Sequence, residues 1–379
     1  KNKLSNPGIS FQKQVHEPED HIYFGNPQNI HYFNDQSKNR LRVYEKDMVL
    51  DGDWEPNSEK QLIENHMFYK SAKRRYLEGV EWNRLEYYQD YIGRNKELYR
   101  GKKLGKNILV SKYKKFLKWD FLFNAIKSKG YKSQALLDTK SYFDEVSIHI
   151  GKNGDQYLCQ GIHRFVFALI LEINRIPVNI VVRHSIWNNF KNRLFTEMPN
   201  KEGFFLYPLN HVDLSNFPSI HSEQIFRNII KISKEKNGNV LIINADLGFF
   251  AQRFEEKGFN CIAIESDGKK RFFLEKLRRA NNCNFSVEKN LESVIKLELP
   301  SFKIIILANG LDEIFESKQN LKNFIDIINK YKTKEVFFSN SKKESNSRKN
   351  EMIQYIFSKS NISRYKNNEN GIDGVCKLY

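Results

Sequence analysis

Asn239-Val-Leu-Ile-Ile-Asn-Ala-Asp-Leu-Gly-Phe-Phe250, followed after one helical segment by Cys261-Ile-Ala-Ile-Glu265, decides how this chain is read. Val240 to Ile243 is an unbroken apolar run of the length of a strand buried on both faces. Asn244 to Gly248 is a tight loop, Phe249 to Lys257 a helix, and the second buried strand closes on an acid. This is the first half of a nucleotide-binding α/β sheet, in which the loop faces its ligand from the carboxyl end of strand one. The acid after strand two accepts a ribose hydroxyl pair. Asn244 and Glu265 are 265 − 244 = 21 residues apart, against the roughly 20 that this geometry asks for.

A dinucleotide site needs G-x-G-x-x-G, because backbone must approach a pyrophosphate closely at a helix N-terminus. Here the loop offers only Gly248, with Asn244 and Ala245 where other glycines would stand. Asn tolerates a left-handed backbone better than most residues and stands in for Gly at a tight turn. S-adenosylmethionine (SAM) carries no phosphate and asks less of the glycines, so the loop favours SAM over NAD.

On these residues the segment resembles the class I SAM-dependent methyltransferases, over residues 223–379. That family reads V-L-D-I-G-A-N-x-G-Y-F where this chain reads Val240 to Phe250. Later landmarks follow in order: Phe285 to Asn290 as strand three, Lys303 to Asn309 as strand four, and Glu335 to Ser339 as strand five. Ile362 to Lys366 and Gly374 to Tyr379 match the antiparallel hairpin that ends the family's sheet. The resemblance implies SAM held by Asn244, Ala245, Asp246, Gly248, Phe249, Glu265 and Asn290. A base helps methyl transfer to a hydroxyl acceptor; from their place just past strand four, Asp312 and Glu313 are the candidates for it and Asn309 the candidate for orienting the acceptor. The chain departs from the family at Ile242, where an acid is usual, at Asn244, where Gly is usual, and at Asp312-Glu313, where many relatives carry two His. Glu265 is retained.

At 379 residues two domains are expected. With 40% hydrophobic and 28% charged residues the composition is that of a folded soluble protein. No apolar run reaches the roughly 18 residues of a membrane span, and the opening Lys1-Asn-Lys-Leu lacks the apolar core of a signal peptide, so a cytoplasmic location is expected. Cys159, Cys261, Cys283 and Cys376 form no C-x-x-C pair and read as reduced thiols. No zinc site follows from their spacing. Net charge is 62 − 45 = +17, which raises a nucleic-acid reading. The basic residues are spread along the chain, though, beyond short runs such as Lys112 to Lys118, and Lys, Asn, Ile, Phe and Tyr are all abundant, as an AT-rich genome produces.

The amino-terminal half has its own pattern. Asp144 to Ile150 alternates as a half-buried strand, Gly151 to Gly154 is a hairpin turn, and Gln156 to Cys159 returns. Gly161-Ile-His-Arg164 then opens an apolar helix, Phe165 to Glu172, and Ile176 to His184 is another strand. A Gly at a strand–helix junction with Arg in the first turn makes an anion site of backbone N–H groups and a guanidinium. Over Phe143 to Arg183 this arrangement resembles the ParB/sulfiredoxin fold, whose phosphate signature G-x-x-R or G-x-H-R is matched by Gly161, His163 and Arg164. The resemblance implies nucleotide binding, with phosphoryl transfer, CTP hydrolysis or reduction in some members. Sulfiredoxins place a reactive Cys where Ile162 stands. A kinase would need Mg²⁺ and a carboxylate; Asp51, Asp53, Asp144 and Glu145 are the candidates. Tyr69 to Tyr91 and Val110 to Lys129 carry helical periodicity, with Tyr87, Tyr88 and Tyr91 as core, and Trp54 is expected to anchor the domain's edge.

The expected organisation is a polar extension over 1–35 and a small α+β, ParB/sulfiredoxin-like domain over 36–195. A proline-marked linker with His211, Asp213 and His221 covers 196–222, and a Rossmann-like, seven-stranded α/β methyltransferase domain covers 223–379. The leading function is SAM-dependent methyl transfer to a small molecule or glycan, with a nucleotide- or phosphate-binding domain attached. One alternative is a nucleotide-dependent small-molecule kinase or nucleotide-binding protein with a silent methyltransferase domain; the other is a nucleic-acid-binding protein. Amino-methylating DNA enzymes carry [DN]-P-P-[YF] after strand four to shape a flipped-base pocket, and this chain has Asn309-Gly-Leu-Asp312. Acceptor and oligomeric state are not legible in the sequence.

Overall fold

The computed structural model describes residues 11–12, 23–33, 47–55, 62–98, 106–134, 145–298, 301–308, 314, 317–339, 351, 354–356, 358–359, 365–367 and 375–378. They fall into two units, Lys1–Phe190 and Lys191–Tyr379.

In the first unit β1 (Phe11–Gln12), β2 (Tyr23–Gly25), β3 (Tyr32–Phe33), β4 (Met48–Leu50), β5 (Val146–Ile150), β6 (Gln156–Gln160) and β7 (Ile176–His184) form one sheet. Its order is β1-β4-β7-β5-β6-β3, with β2 also on β7. The described residues within 1–35 are therefore not the polar arm expected from composition. They supply three short strands, and Tyr23 and Ile30 are buried in the core. Backbone pairing needs no apolar periodicity, which is why composition hid it. The expected strand–turn–strand–helix–strand succession is present from Val146 to His184, and β7 has the bounds read from sequence.

One expected helix over Tyr69 to Tyr91 is two, α1 (Met67–Leu77) and α2 (Glu86–Leu98), because the chain turns between them to bury Trp82. They pack with α3 (Lys106–Lys129) and α4 (Ile162–Ile170) around an aromatic cluster of Phe68, Trp82, Phe116, Trp119 and Phe167. Tyr87, Tyr88 and Tyr91 are half-buried and pack against the buried Phe116. Asp120 ties the cluster together, accepting from Arg75 at 2.8 Å and from the Trp82 indole N–H at 2.9 Å. Trp54 is buried, stacked on His184 and edge-on to His149. Burial pushes the His149 pKa down to about 4 and that of the Cys159 thiol up to about 12, so both are neutral core groups near pH 7. Helix α5 (Ser185–Glu197) follows β7.

The second unit holds α6 (Gln224–Ile232), β8 (Asn239–Ile243), α7 (Phe249–Glu255), β9 (Asn260–Ile264), α8 (Gly268–Ala280), β10 (Ser286–Glu288), α9 (Leu291–Ile295), β11 (Phe302–Ala308), α10 (Lys318–Lys330), β12 (Glu335–Ser339), β13 (Tyr365–Asn367) and β14 (Val375–Leu378). Strand order is β10-β9-β8-β11-β12-β14-β13. The first five strands are parallel; β14 runs antiparallel between β12 and β13. Counted from β8 this is 3-2-1-4-5-7-6, the Rossmann-like, seven-stranded order with a final reversed hairpin. The continuous apolar runs are explained by helices on both faces. Ile242, Ile304 and Phe337 point into one core with α6, α7 and α8; Leu241, Ile305 and Val336 point into the other with α9 and α10.

The stretch over 196–222, expected as a linker, belongs to this second unit and is packed. Phe205, Tyr207, Leu214, His211, Asp213 and His221 are all buried. Lys191 pairs with Asp213 at 3.2 Å, and the His211 ring accepts the Asp213 N–H at 3.2 Å. Its prolines and lack of periodicity concealed a packed segment in which the buried Asp213 is matched by Lys191 and His211.

Candidate functional site

Strand β8 ends at Ile243, and the next residues turn through three left-handed positions, Asn244 (φ 57°), Asp246 (φ 51°) and Gly248 (φ 90°). Asn and Asp are the residues other than Gly that visit this region most readily, which is how the loop keeps its shape with one glycine. A side chain at Gly248 is excluded twice: by φ, and because a Cβ would lie 2.6 Å from Leu274 Cδ1. Ala245 N–H donates to the Ile264 carbonyl at 2.9 Å, and Gly248 N–H to the Ala245 carbonyl at 2.8 Å. The loop is thus folded onto the end of β9.

Glu265, the first residue past β9, holds both sides of that junction. Its Oε2 accepts the Asp246 N–H at 2.8 Å and its Oε1 the Asp267 N–H at 3.0 Å. It is only 4% exposed. Burial raises its pKa to about 7, against the opposing pull of the Asp267 N–H, the Lys270 ammonium and the Asp246 N–H. An ionised carboxylate offers about four acceptor directions, so two remain after these bonds. Lys270 pairs with Asp246 at 3.2 Å. Burial works against its charge, but the carboxylates of Asp246, Glu265 and Asp267 together raise its pKa.

Asn244, Ala245, Asp246, Gly248 and Glu265 are accordingly gathered at the carboxyl ends of β8 and β9. Phe249 and Asn290 are placed differently. Phe249 is buried in the core, its ring stacked on Tyr207 at 5.4 Å, which in turn stacks on His221. Asn290 caps α9, its Oδ1 accepting the Ser293 N–H at 3.0 Å. Ile242 is fully buried in the apolar core. Asn309, Asp312 and Glu313 lie outside the described residues. The described part of β11 ends at Ala308, next to the end of β8 through the pairing of Leu307 with Ile243. Lys270 and Tyr207 were missed in the sequence. Nothing marks Tyr207, while the Asp246–Lys270 pair depends on where α8 begins.

The first unit has a separate cavity of about 270 Å³ lined by Trp119, Leu122, Glu145, Gln160, Gly161, His163 and Arg164. It gathers all three residues of the Gly161-Ile-His163-Arg164 signature. Gly161 caps α4 with φ 82°, and a Cβ there would stand 3.0 Å from Val146 Cα. His163 stacks on Trp119 at 4.3 Å and meets Phe68 edge-on at 4.6 Å. Burial, with help from Lys115, His66 and Arg164, lowers its pKa to about 4, so the ring is neutral near pH 7. Glu145 is the carboxylate that the sequence could not place beside Arg164. Its Oε2 is 3.6 Å from Arg164 Nη1, while Oε1 accepts from Ser133 Oγ at 2.6 Å and from the Gln134 N–H. Asp51 instead accepts from the Gly52 N–H and Ser185 Oγ. Asp144 lies outside the described residues.

No protein-family model and no curated protein matches the chain. Among solved structures it is similar to a ribosomal protein L11 methylase from Lactobacillus delbrueckii subsp. bulgaricus, at 15% identity over 41% of this chain and 76% of that one, TM-score 0.31. It is similar to a TehB-like SAM-dependent methyltransferase from Corynebacterium glutamicum at 11% identity over 42% and 88%, TM-score 0.31. A third likeness is to WbdD in complex with the kinase inhibitor LY294002, at 16% identity over 49% and 46%, TM-score 0.37.

Proposed function

We propose that the second unit binds SAM and transfers its methyl group to a small molecule or glycan. One observation carries this reading: Glu265, buried at the carboxyl end of β9, keeps two acceptor directions beside a left-handed loop at the end of β8. That is where a nucleoside's ribose lies in an open parallel sheet, and two hydroxyls require two acceptors. The loop without further glycines suits a ligand lacking pyrophosphate. When bound, SAM supplies an electrophilic methyl; the chain's task is to align an acceptor in line with it. Asn309 is the proposed orienting residue and Asp312 or Glu313 the proposed base for a hydroxyl acceptor.

Titration calorimetry of the full chain with SAM and with S-adenosylhomocysteine tests binding. Both should bind at one site, and Glu265→Ala should weaken them by about tenfold or more, the loss of hydrogen bonds to a charged group. No heat with either ligand would sink the proposal. Formation of S-adenosylhomocysteine in the presence of glycan and small-molecule acceptors tests transfer separately.

The nucleotide reading of the first unit has in its favour an Arg164 Nη1 with no hydrogen bond. Against it stands Glu145, which puts a buried negative charge on the same cavity wall. A nucleotide with Mg²⁺ is not part of the proposal.

A further inference from the structure

The cavity of the first unit combines three buried polar atoms without hydrogen bonds: Glu145 Oε2, His163 Nε2 and Arg164 Nη1. Glu145 is 2% exposed, and at 3.6 Å its approach to Arg164 is an ion pair without a hydrogen bond. Leaving such groups unmet is costly, and their convergence on one cavity is what a polar ligand satisfies. The carboxylate and the guanidinium cancel, and the imidazole is neutral near pH 7. An anion would gain little from this wall and would face Glu145 directly.

What fits is a group that donates and accepts at once, and a hydroxyl is that group. An oxygen placed about 2.8 Å from both Glu145 Oε2 and Arg164 Nη1 donates to the first and accepts from the second. A second hydroxyl, which can donate or accept, meets His163 Nε2. Flat aromatic ligands are poorly served, because His163 covers one face of Trp119 and the Lys115 ammonium stands 5.5 Å from its ring. A volume of about 270 Å³ lies below the roughly 300 Å³ at which drug-sized pockets begin, a size for one ring. An adjoining cavity of about 250 Å³ shares Leu122 and Arg164 and reaches Tyr131, whose buried hydroxyl also lacks a partner. The ligand has room to continue past Arg164.

We propose that this cavity binds one ring of a neutral glycan, with ring hydroxyls bridging Glu145 and Arg164 and hydrogen-bonded to His163 Nε2, and the next sugar running toward Tyr131. This does not rest on methyl transfer by the second unit.

Saturation-transfer NMR of the full chain tests it, with a panel of methyl glycosides and neutral disaccharides, and with CTP, ATP and inorganic phosphate in separate samples. At least one neutral sugar should bind, disaccharide more tightly than monosaccharide, and the phosphates should not. Glu145→Gln should weaken the sugar about tenfold or more. Glu145 also holds Ser133 and Gln134, so a second variant, Leu122→Trp, fills the cavity from its lining and should abolish binding with the melting temperature retained. A panel without a binder overturns the proposal. So does phosphate or nucleotide binding that Leu122→Trp removes.

Discussion

Gly248→Val is expected to lower the melting temperature of the second unit by roughly 5–15 °C and to abolish SAM binding. Two costs combine. An L-residue at φ 90° costs about 1–2 kcal/mol in the left-handed region, and forcing a side chain against Leu274, fully buried in the core, costs about 1–3 kcal/mol as overpacking. For a unit of this size each kcal/mol is worth about 2–4 °C. Gly258 supplies the control. It has a similar φ of 85° and nothing within 4 Å of its would-be Cβ, so Gly258→Ala reports the backbone cost alone. Gly248→Ala should be the more destabilising of the two in calorimetric melts. Equal losses would mean that Leu274 yields freely and that the loop is not held by this contact.

The contrast between loop and surroundings shows what a sequence of this kind discloses. Strands β7 and β12 have the bounds read from their apolar runs, and β8 differs by Asn239 alone. A strand buried on both faces writes its burial into consecutive residues, so the signal is local. Turns at Asn244, Gly161 and Gly248 were legible for the same reason, since left-handed backbone restricts residue type at one position. Glu265 was found by spacing.

What escaped was non-local. Trp119 reaches His163 from 163 − 119 = 44 positions away in the chain, and Glu145 faces Arg164 through the pairing of β5 with β6. No period in the sequence encodes either. The strands within residues 1–35 were hidden because two- and three-residue strands are too short for alternation to show. The proposed base and acceptor residues, Asp312, Glu313 and Asn309, lie outside the described residues and rest on the resemblance and their position after β11.

Adenosine-type ligands are expected to bind the second unit roughly 20–30-fold more tightly at pH 7.5 than at pH 5.5, by single-proton linkage at Glu265. The pKa of Glu265 is raised by burial from 4.5 to about 7. In the ligand-free protein the folded state therefore holds a proton that the unfolded chain has released. The stabilising contribution of this group is complete below pH 4.5 and is lost as pH rises through about 7, an order of ~3 kcal/mol for a shift of this size. Two ribose hydroxyls donating to Glu265 require the ionised form, so binding expels that proton, and affinity climbs about tenfold per pH unit until the group is ionised. Adenosine is the discriminating probe, because it lacks the amino-acid tail of SAM and its own charge does not change in this window. Calorimetry in buffers of different ionisation enthalpy should show close to one proton released per adenosine at pH 5.5 and few at pH 8. In Glu265→Gln the pH dependence of binding should vanish while the remaining affinity is low at every pH. Affinity that is flat with pH in the unaltered protein would place the ribose away from Glu265, and the cofactor site with it.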